Sequence, residues 1–163
     1  MPKRSAALLL YRLRDESGLE VLIAHMGGPF WAKKDARGWS IPKGEYEDGE
    51  DSLDAAMREF EEEIGSPPPK GEFLELGECR QSSGKIITTY ALEGDFDLAV
   101  FHSNTFAMEW PKGSGTIREF PEVDRADWVS FDRASELLVK GQVPIVTALR
   151  ERLLTQGARV DQR

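Results

Sequence analysis

The sequence has few of the residues that disulfide-stabilised, zinc-binding or membrane-spanning proteins require. Its 163 residues include one cysteine, Cys79, and two histidines, His25 and His102. One cysteine cannot form an intramolecular disulfide, and so few thiolate and imidazole ligands argue against a zinc site. The apolar runs are too short to cross a bilayer. We therefore expect a cytoplasmic protein with no membrane association.

The negative charge of the chain is concentrated in one stretch. The formal net charge is −8, and residues 45–63 hold ten of the 29 acids but only one of the 21 bases, Arg58. Such a stretch repels a nucleic-acid backbone, so we expect no nucleic acid as a partner. A charge run is usually a solvated helix face. The positions of the acids decide between that interpretation and a functional site.

The hydrophobic pattern predicts alternating strands and helices. Strands are predicted at 5–13, 19–26, 39–41, 72–80, 85–93, 104–110 and 127–131. Helices are predicted from Asp51 to Ile64, with Gly65 at the end, and at 132–140 and 145–154. We assign residues 1–156 to a single domain and residues 157–163 to a polar C-terminal tail.

The helix predicted from Asp51 separates apolar from acidic positions. Apolar residues recur at spacings of four, three and four and form one stripe: Leu53, Met57, Phe60 and Ile64. Glu59, Glu62 and Glu63 are three and four residues apart, so they share a different face. Carboxylates held this close repel one another unless cations neutralise them. Oxygen ligands of this kind suit Mg²⁺, with Mn²⁺ as a possible substitute.

A turn just before this helix brings the backbone close to the acidic face. The segment Pro42-Lys43-Gly44-Glu45 combines proline and glycine, and glycine permits a close approach of two chains. A backbone carbonyl there can complete the coordination of a metal. Arg58 lies one helical turn before Glu62 and can fix the rotamer of a carboxylate through a salt bridge.

The spacing of these residues resembles the Nudix box. Gly44 is followed after five residues by Glu50, and after seven more by Arg58-Glu59-Phe60-Glu61-Glu62-Glu63-Ile64-Gly65. Every charged and glycine position of the signature is matched within residues 44–66. The one departure is Ser66, where the family usually has an aliphatic residue. The resemblance implies a Nudix-type α/β/α sandwich, of the α/β (α+β) class, with a mixed central sheet and the box helix packed on it.

The resemblance also implies roles for residues inside the box. Glu59, Glu62 and Glu63 match the metal-binding and catalytic glutamates, and Glu59 is a candidate general base. Arg58 matches the arginine that orients these carboxylates. Glu50 matches an outer glutamate that supports the site or helps to bind a further metal through water. The backbone carbonyl of Lys43 or Gly44 matches a further metal ligand of the family.

Many members of the family use an additional acid outside the box, shortly before a strand that contains tryptophan. Glu122 lies six residues before Trp128 and is our first candidate for this metal-binding or catalytic acid. Glu119 is the second candidate.

The region around the box is similar to that of the diadenosine tetraphosphate hydrolases. The similarity covers residues 39–45 and the spacing from Glu122 to Trp128. It implies that a metal-activated water hydrolyses a diphosphate linkage in a dinucleoside polyphosphate or another nucleoside-diphosphate-linked substrate. A nucleoside triphosphate pyrophosphatase, including one for oxidised nucleotides, is the alternative within the family. A non-catalytic nucleotide-sensing Nudix-like domain is the alternative from another class, although such domains commonly lose box carboxylates.

Candidates for substrate binding lie mostly before the acidic helix. Lys33 and Lys43 can contact phosphates, with ordinary solvated loop charge as the alternative. Trp31 and Tyr90 can stack on a base, with core packing as the alternative. The expected partner is a small nucleotide-like molecule, and the sequence leaves both a monomer and a homodimer open.

Overall fold

The computed structural model describes residues 3–15 and 18–157. The strands are β1 (Arg4–Arg14), β2 (Gly18–Met26), β3 (Trp39–Ser40), β4 (Lys43–Glu45), β5 (Phe73–Arg80), β6 (Ile86–Glu93), β7 (Thr105–Glu109), β8 (Ile117–Pro121) and β9 (Val123–Ser130). The helices are α1 (Ser52–Ile64), α2 (Phe131–Leu137) and α3 (Val143–Thr155), with short 3₁₀ turns at Leu98–Val100 and Lys140–Gln142.

A mixed sheet of seven strands forms the centre of the fold. Its main order is β3-β2-β1-β6-β5, with β4 paired to β1 and β9 paired to β2. The pairing of β1 with β6 is parallel, whereas the other pairings in this sheet are antiparallel. Strands β7 and β8 form a separate antiparallel hairpin.

The sheet is covered on both faces, as the continuous apolar sequence of β1 requires. Leu8 and its neighbours at every second position pack with Phe60 and Ile64 of α1. Leu9 and the alternate positions pack with α2 and α3, for example with Leu149. Because strand side chains alternate between faces, one strand contributes to both cores. The structure thus confirms the α/β/α layers and the box helix packed on a mixed sheet.

Helix α1 begins and ends at the predicted residues, but its buried face differs in part from the prediction. Asp51 caps the start by accepting a hydrogen bond from the Asp54 amide at 3.1 Å. Gly65 ends the helix with a φ of 95°, and a Cβ there would lie 2.3 Å from the His102 carbonyl oxygen. The fully buried residues are Ala55, Ala56, Phe60 and Ile64. Leu53 and Met57 of the predicted stripe are only half-buried, because the small alanines make the closest approach to the sheet.

Several predicted elements and boundaries were wrong. Strands β4 and β8 were not predicted, β9 begins four residues before the predicted strand at 127, and α2 ends at Leu137 rather than at 140. No helix in the described ranges is long and apolar enough to cross a membrane. Of the predicted tail at 157–163, all but Gly157 lies outside the described residues.

Candidate active site

The acidic face of α1 lies beside strand β4 and carries the three predicted glutamates. Glu59 is more enclosed than Glu62, with 13% of its side chain exposed against 39% for Glu62. Glu63 is half-buried, and the charge of Lys43 acts on its carboxylate. The pairing of Ala7 with Lys43 holds β4 in place against the central sheet. The start of the box therefore packs against its end, as the glycine at position 44 predicts.

Gly44 is required at its position by the Glu59 carboxylate. A Cβ built on Gly44 would lie 2.0 Å from Glu59 Cδ and 2.2 and 2.3 Å from its two oxygens. Distances this short are impossible for a real side chain, so any other residue would displace either β4 or the carboxylate. Glycine at this point lets backbone and carboxylate approach closely enough to share a ligand.

Arg58 connects the outer glutamate of the box to the inner ones. Its guanidinium contacts the Glu50 carboxylate and lies 3.4 Å from Glu59 Oε1 and 3.9 Å from Glu62 Oε1. It also lies 3.5 Å from the Glu45 carbonyl oxygen. A planar guanidinium with several donors can hold several carboxylates in fixed rotamers at once. Glu50 contacts Arg58 from the outer side, so its predicted role as a support has a structural basis, while its role toward a metal stays a prediction.

Glu122 reaches the acidic face through a series of backbone hydrogen bonds. The amides of His102 and Asn104 donate to the carbonyls of Ile64 and Glu62 at the end of α1, both at 2.9 Å. The Asn104 carbonyl then accepts the Glu122 amide at 2.8 Å. Glu122 is thereby placed where its charge interacts with those of Glu59, Glu62 and Glu63.

The alternative acid, Glu119, does not share this position. It is exposed in the middle of β8, where it pairs with Ala107 of β7. Of the two candidates, the structure brings only Glu122 to the box. The segment 102–104 that positions it was not predicted to matter, because its contribution is made by backbone groups.

Burial first, and neighbouring acids second, raise the pKa values of three carboxylates at this site, Glu59, Glu63 and Glu122. Burial, and then the charge of Glu62, raises the pKa of Glu59. The same two causes raise the pKa of Glu122. Burial raises the pKa of Glu63 to about 8, with the Lys43 charge opposing the shift and Glu59 and Glu122 adding to it. Added positive charge would therefore favour the ionised form of these groups.

This carboxylate cluster, defined as Glu59, Glu62, Glu63 and Glu122, fits a hard divalent cation. Its ligands are oxygens, its charge is in excess, and the Gly44 backbone is in contact with one carboxylate. In the described residues, no three His, Cys, Asp or Glu side chains already form a compact metal cage. The cluster is assigned to a divalent cation from its negative charge and its oxygen ligands. Mg²⁺ suits such a site because that ion binds carboxylates together with substrate oxygens.

A cavity of about 270 Å³ is lined in part by Lys43, whose charge interacts with those of Glu63 and Glu59 in the cluster. Other residues that line it include Met26, Trp31, Gln81, Ser83 and Gln142. Burial, and then the charge of Lys85, lowers the pKa of Lys43. Gln142 is fully buried and fixed, since its side chain accepts from the Ile41 amide at 2.8 Å and donates to Ser40 at 3.0 Å. Gln81 and Gln142 carried no signal in the sequence, because their positions depend on distant elements.

The other two predicted substrate contacts lie elsewhere. Lys33 is exposed in the loop between β2 and β3. Tyr90 packs beneath α1 in the same core as Phe60, and its hydroxyl lies 2.6 Å from the Ser52 hydroxyl. The structure thus brings Trp31 and Lys43 together at one cavity, but it does not place Tyr90 there.

Comparison with known proteins agrees with this architecture. A family model described as the NUDIX domain matches residues 1–149. No curated protein sequence matches the chain significantly.

Solved structures of related fold cover nearly the whole chain. The NUDIX domain of Shewanella oneidensis NrtR, complexed with ADP ribose, gives a TM-score of 0.63 at 17% identity and covers 94% of this chain and 89% of that one. A C. elegans Ap4A hydrolase in a binary complex gives 0.58 at 18% identity, over 94% and 98% of the two chains. RenU, a Nudix hydrolase from M. smegmatis, gives 0.57 at 21% identity, over 93% and 86%. At these identities the likeness shows the fold.

Proposed function

This chain belongs to the Nudix family of pyrophosphohydrolases, which act on nucleoside-diphosphate-linked substrates, and on that premise we propose that it hydrolyses a dinucleoside polyphosphate with Mg²⁺. The observation that carries the proposal is the carboxylate cluster, in which Glu59 of α1 lies against Gly44 and the charges of Glu62, Glu63 and Glu122 act on one another and on Glu59. The partner is a small nucleotide-like molecule, and the reaction is proposed to take place in the cytoplasm.

The acids of the cluster would hold the cation. Glu59, Glu62 and Glu63 are the principal candidates, with Glu122 and a backbone carbonyl of Lys43 or Gly44 as further ligands. When bound, Mg²⁺ supplies positive charge to an anionic diphosphate and lowers the pKa of water at the site. Arg58 holds the carboxylates in position, because it contacts Glu50 on one side and Glu59 and Glu62 on the other.

Proton removal from the attacking water is assigned to a carboxylate of the cluster. Glu59 and Glu122 are the candidates, since burial and neighbouring acids raise the pKa of each and thereby make each a better base near neutral pH. The oxygen of that water attacks phosphorus, and the bond from phosphorus to the bridging oxygen breaks. The chain needs no covalent intermediate for this reaction.

The cavity beside the cluster is the proposed position of one nucleoside. The Trp31 ring offers a stacking surface, and base–aromatic stacking contributes about 1–3 kcal/mol per base. Lys43 lies between the cavity and the acids, where it can contact a phosphate. Lys33 is proposed as a second phosphate contact from the loop above. A relative of the same fold is an Ap4A hydrolase, which supports a dinucleoside substrate for this chain.

The test is a hydrolysis screen with and without Mg²⁺ in which the nucleotide products are separated by chromatography and identified. The panel contains diadenosine tetraphosphate, nucleoside triphosphates, including oxidised ones, and nucleotide sugars. We expect Mg²⁺-dependent turnover with the highest kcat/KM for diadenosine tetraphosphate. A higher kcat/KM for a nucleoside triphosphate would replace the proposed substrate, and binding without turnover anywhere in the panel would contradict the proposed catalysis.

A further inference from the structure

His25 is a buried polar residue to which neither the sequence nor the proposed chemistry gives a role. It lies near the end of β2 with none of its surface exposed. Its Nδ1 is 2.7 Å from Asp124 Oδ1, and its Nε2 contacts the carbonyl oxygen of Lys34. The Trp39 ring packs edge-on against it, with 5.4 Å between ring centroids. The histidine therefore connects three segments that are far apart in sequence.

The two hydrogen bonds require an imidazole. A carbonyl oxygen can only accept, so Nε2 must carry a hydrogen toward Lys34. The Asp124 carboxylate then shares one proton with Nδ1. A ring with nitrogens on opposite sides is needed to bridge two acceptors in this way, and a buried network of this kind is costly when only partly satisfied.

The first of these bonds acts on the loop that carries Trp31. Lys34, whose carbonyl His25 holds, donates its own amide to the Trp31 carbonyl at 3.0 Å. Its ammonium also lies over the Trp31 ring at 5.3 Å. Lys34 thus contacts Trp31 through both its backbone and its side chain, and Trp31 lines the same cavity as Lys43.

The second bond acts on the strand that begins next to Glu122. The register of β9 against β2 shifts at this point, because His25 pairs with Arg125 and Met26 pairs with Val123. Asp124 is the extra residue of this bulge, a feature that often redirects a side chain beside a functional site. The start of the loop is attached to the same region, since the Gly27 amide donates to the Glu122 carbonyl at 2.9 Å.

The loop also has contacts that are partly buried, because Asp35 accepts a hydrogen bond from Trp39 Nε1 at 3.2 Å and Arg37 donates one to the Leu138 carbonyl at 3.2 Å. Asp35 lies 3.3 Å from Arg133 in an exposed ion pair, and residues 32–37 are exposed. Exposed ion pairs contribute little to stability. The bond from His25 differs from these contacts because it reaches the backbone of Lys34, the residue whose amide is bonded to Trp31.

We propose that His25 is a positioning residue for the substrate: through Lys34 it holds Trp31 over the cavity, and through Asp124 it ties that loop to the strand that presents Glu122. The proposal rests on the proposed function, in which this cavity takes a nucleoside. It assigns His25 no contact with the reacting atoms. Its loss should therefore weaken substrate binding while the chemical step continues.

The test uses His25→Gln, which can still donate to Lys34 but turns a carbonyl oxygen toward the Asp124 carboxylate. With diadenosine tetraphosphate and Mg²⁺ we expect KM to rise about tenfold while kcat stays within about threefold. Adding Asp124→Asn to this variant supplies an amide donor for the glutamine oxygen and should restore KM. Asp124→Asn alone should be mild, because an amide can donate to the Nδ1 of a neutral ring.

A second measurement follows the loop without any substrate. Trypsin cuts after Lys33, Lys34 and Arg37, and we expect these exposed sites to be cleaved about tenfold faster in His25→Gln than in the wild type. The double variant should again resemble the wild type. Arg12→Gln is the matched control. It removes a half-buried ion pair in which Arg12 Nε lies 2.7 Å from Glu20 Oε1, outside this loop. It should leave both KM and the cleavage rate unchanged.

The two measurements separate the inference from the proposed function. Faster cleavage of the loop with an unchanged KM would overturn the positioning role and leave the proposed hydrolysis intact. The role would also be overturned if His25→Gln lowered both kcat and the resistance of the loop to trypsin and adding Asp124→Asn restored neither. That result would indicate general unfolding. Absence of turnover by the wild type would contradict the proposed function. The trypsin cleavage rates of the wild type and His25→Gln would still decide whether His25 holds the loop.

Discussion

Gly44 and Glu59 are in such close contact that a Cβ on the glycine would lie 2.0 Å from the carboxylate carbon. Gly44→Ala should therefore displace either strand β4 or the carboxylate. Because the nearest atoms belong to a side chain, we expect the fold to persist and kcat/KM to fall at least about tenfold, the effect typical of a disturbed metal site. Steady-state kinetics together with circular dichroism would check this.

The matched control for that variant is Gly49→Ala in the same region. Gly49 has a φ of 93° and nothing within 4 Å of an added Cβ. Alanine there should lose about 1 kcal/mol of stability through backbone strain, with kcat/KM unchanged. If Gly49→Ala lowered kcat/KM as much as Gly44→Ala, contact with Glu59 would not be the reason.

Arg58 should matter through the carboxylates that it holds. We expect Arg58→Gln to lower kcat/KM by about 10–100-fold, as is usual when a partner of a metal ligand is lost, and to raise the Mg²⁺ concentration needed for half-maximal activity. Arg133→Gln removes the exposed pairs with Asp35 and Glu136 and serves as the control. Equal Mg²⁺ requirements in both variants would refute the orienting role of Arg58.

The two acids before Trp128 give a matched comparison outside the box. Glu122→Gln should lower kcat at least about tenfold, whether Glu122 acts as a base or as a ligand. Glu119→Gln changes an exposed residue of β8 and should have no effect on kcat. The opposite ranking in a side-by-side assay would mean that the register of the hairpin, and hence our assignment of the additional acid, is wrong.

The raised pKa of Glu63 predicts a pH dependence of stability in the metal-free protein. Its folded-state pKa is about 8 against an ordinary value of 4.5, so between these pH values the folded chain binds a proton that the unfolded chain has lost. The stabilisation is complete below the unfolded pKa and is lost as the pH rises through the folded pKa. We expect the melting temperature of metal-free protein to fall over this range.

Mg²⁺ and a neutral side chain should each remove this dependence on pH. Since a metal binds the ionised carboxylate, Mg²⁺ should raise the melting temperature more at pH 8 than at pH 6. Glu63→Gln should be more stable than the wild type at pH 8 without metal and should lose the response to Mg²⁺. For a domain of this size, about 1 kcal/mol corresponds to roughly 2–4 °C. Equal Mg²⁺ responses in the two proteins would exclude Glu63 as a ligand.

The helix that carries the site was predictable because its signals are local. The cap at Asp51, the stop at Gly65 and the spacing of Glu59 and Glu63 all lie within one short segment. The family resemblance also rests on this segment, which explains why the box and the layered fold were predicted together.

Features that depend on distant pairing were missed or only guessed. The partner of His25 is Asp124, which lies 99 residues later in the chain. The hydrophobic pattern of neither segment predicts that contact. Strand β4 is only three residues long and exists because it pairs with β1. The buried face of α1 includes Ala56 rather than Leu53. Hydrophobicity alone favours Leu53, whereas packing of a helix against a sheet favours small side chains where the two backbones are close.

The most direct test of the account is Mg²⁺-dependent hydrolysis of diadenosine tetraphosphate by the wild type, Glu62→Gln and Glu61→Gln. Glu61 is exposed on the same helix next to Glu62, so the two variants remove the same charge from adjacent positions. We predict a loss of at least about 100-fold for Glu62→Gln, more than for a mere supporting residue, and near-normal turnover for Glu61→Gln. Equal activity in the two variants would contradict a catalytic metal centre at the carboxylate cluster.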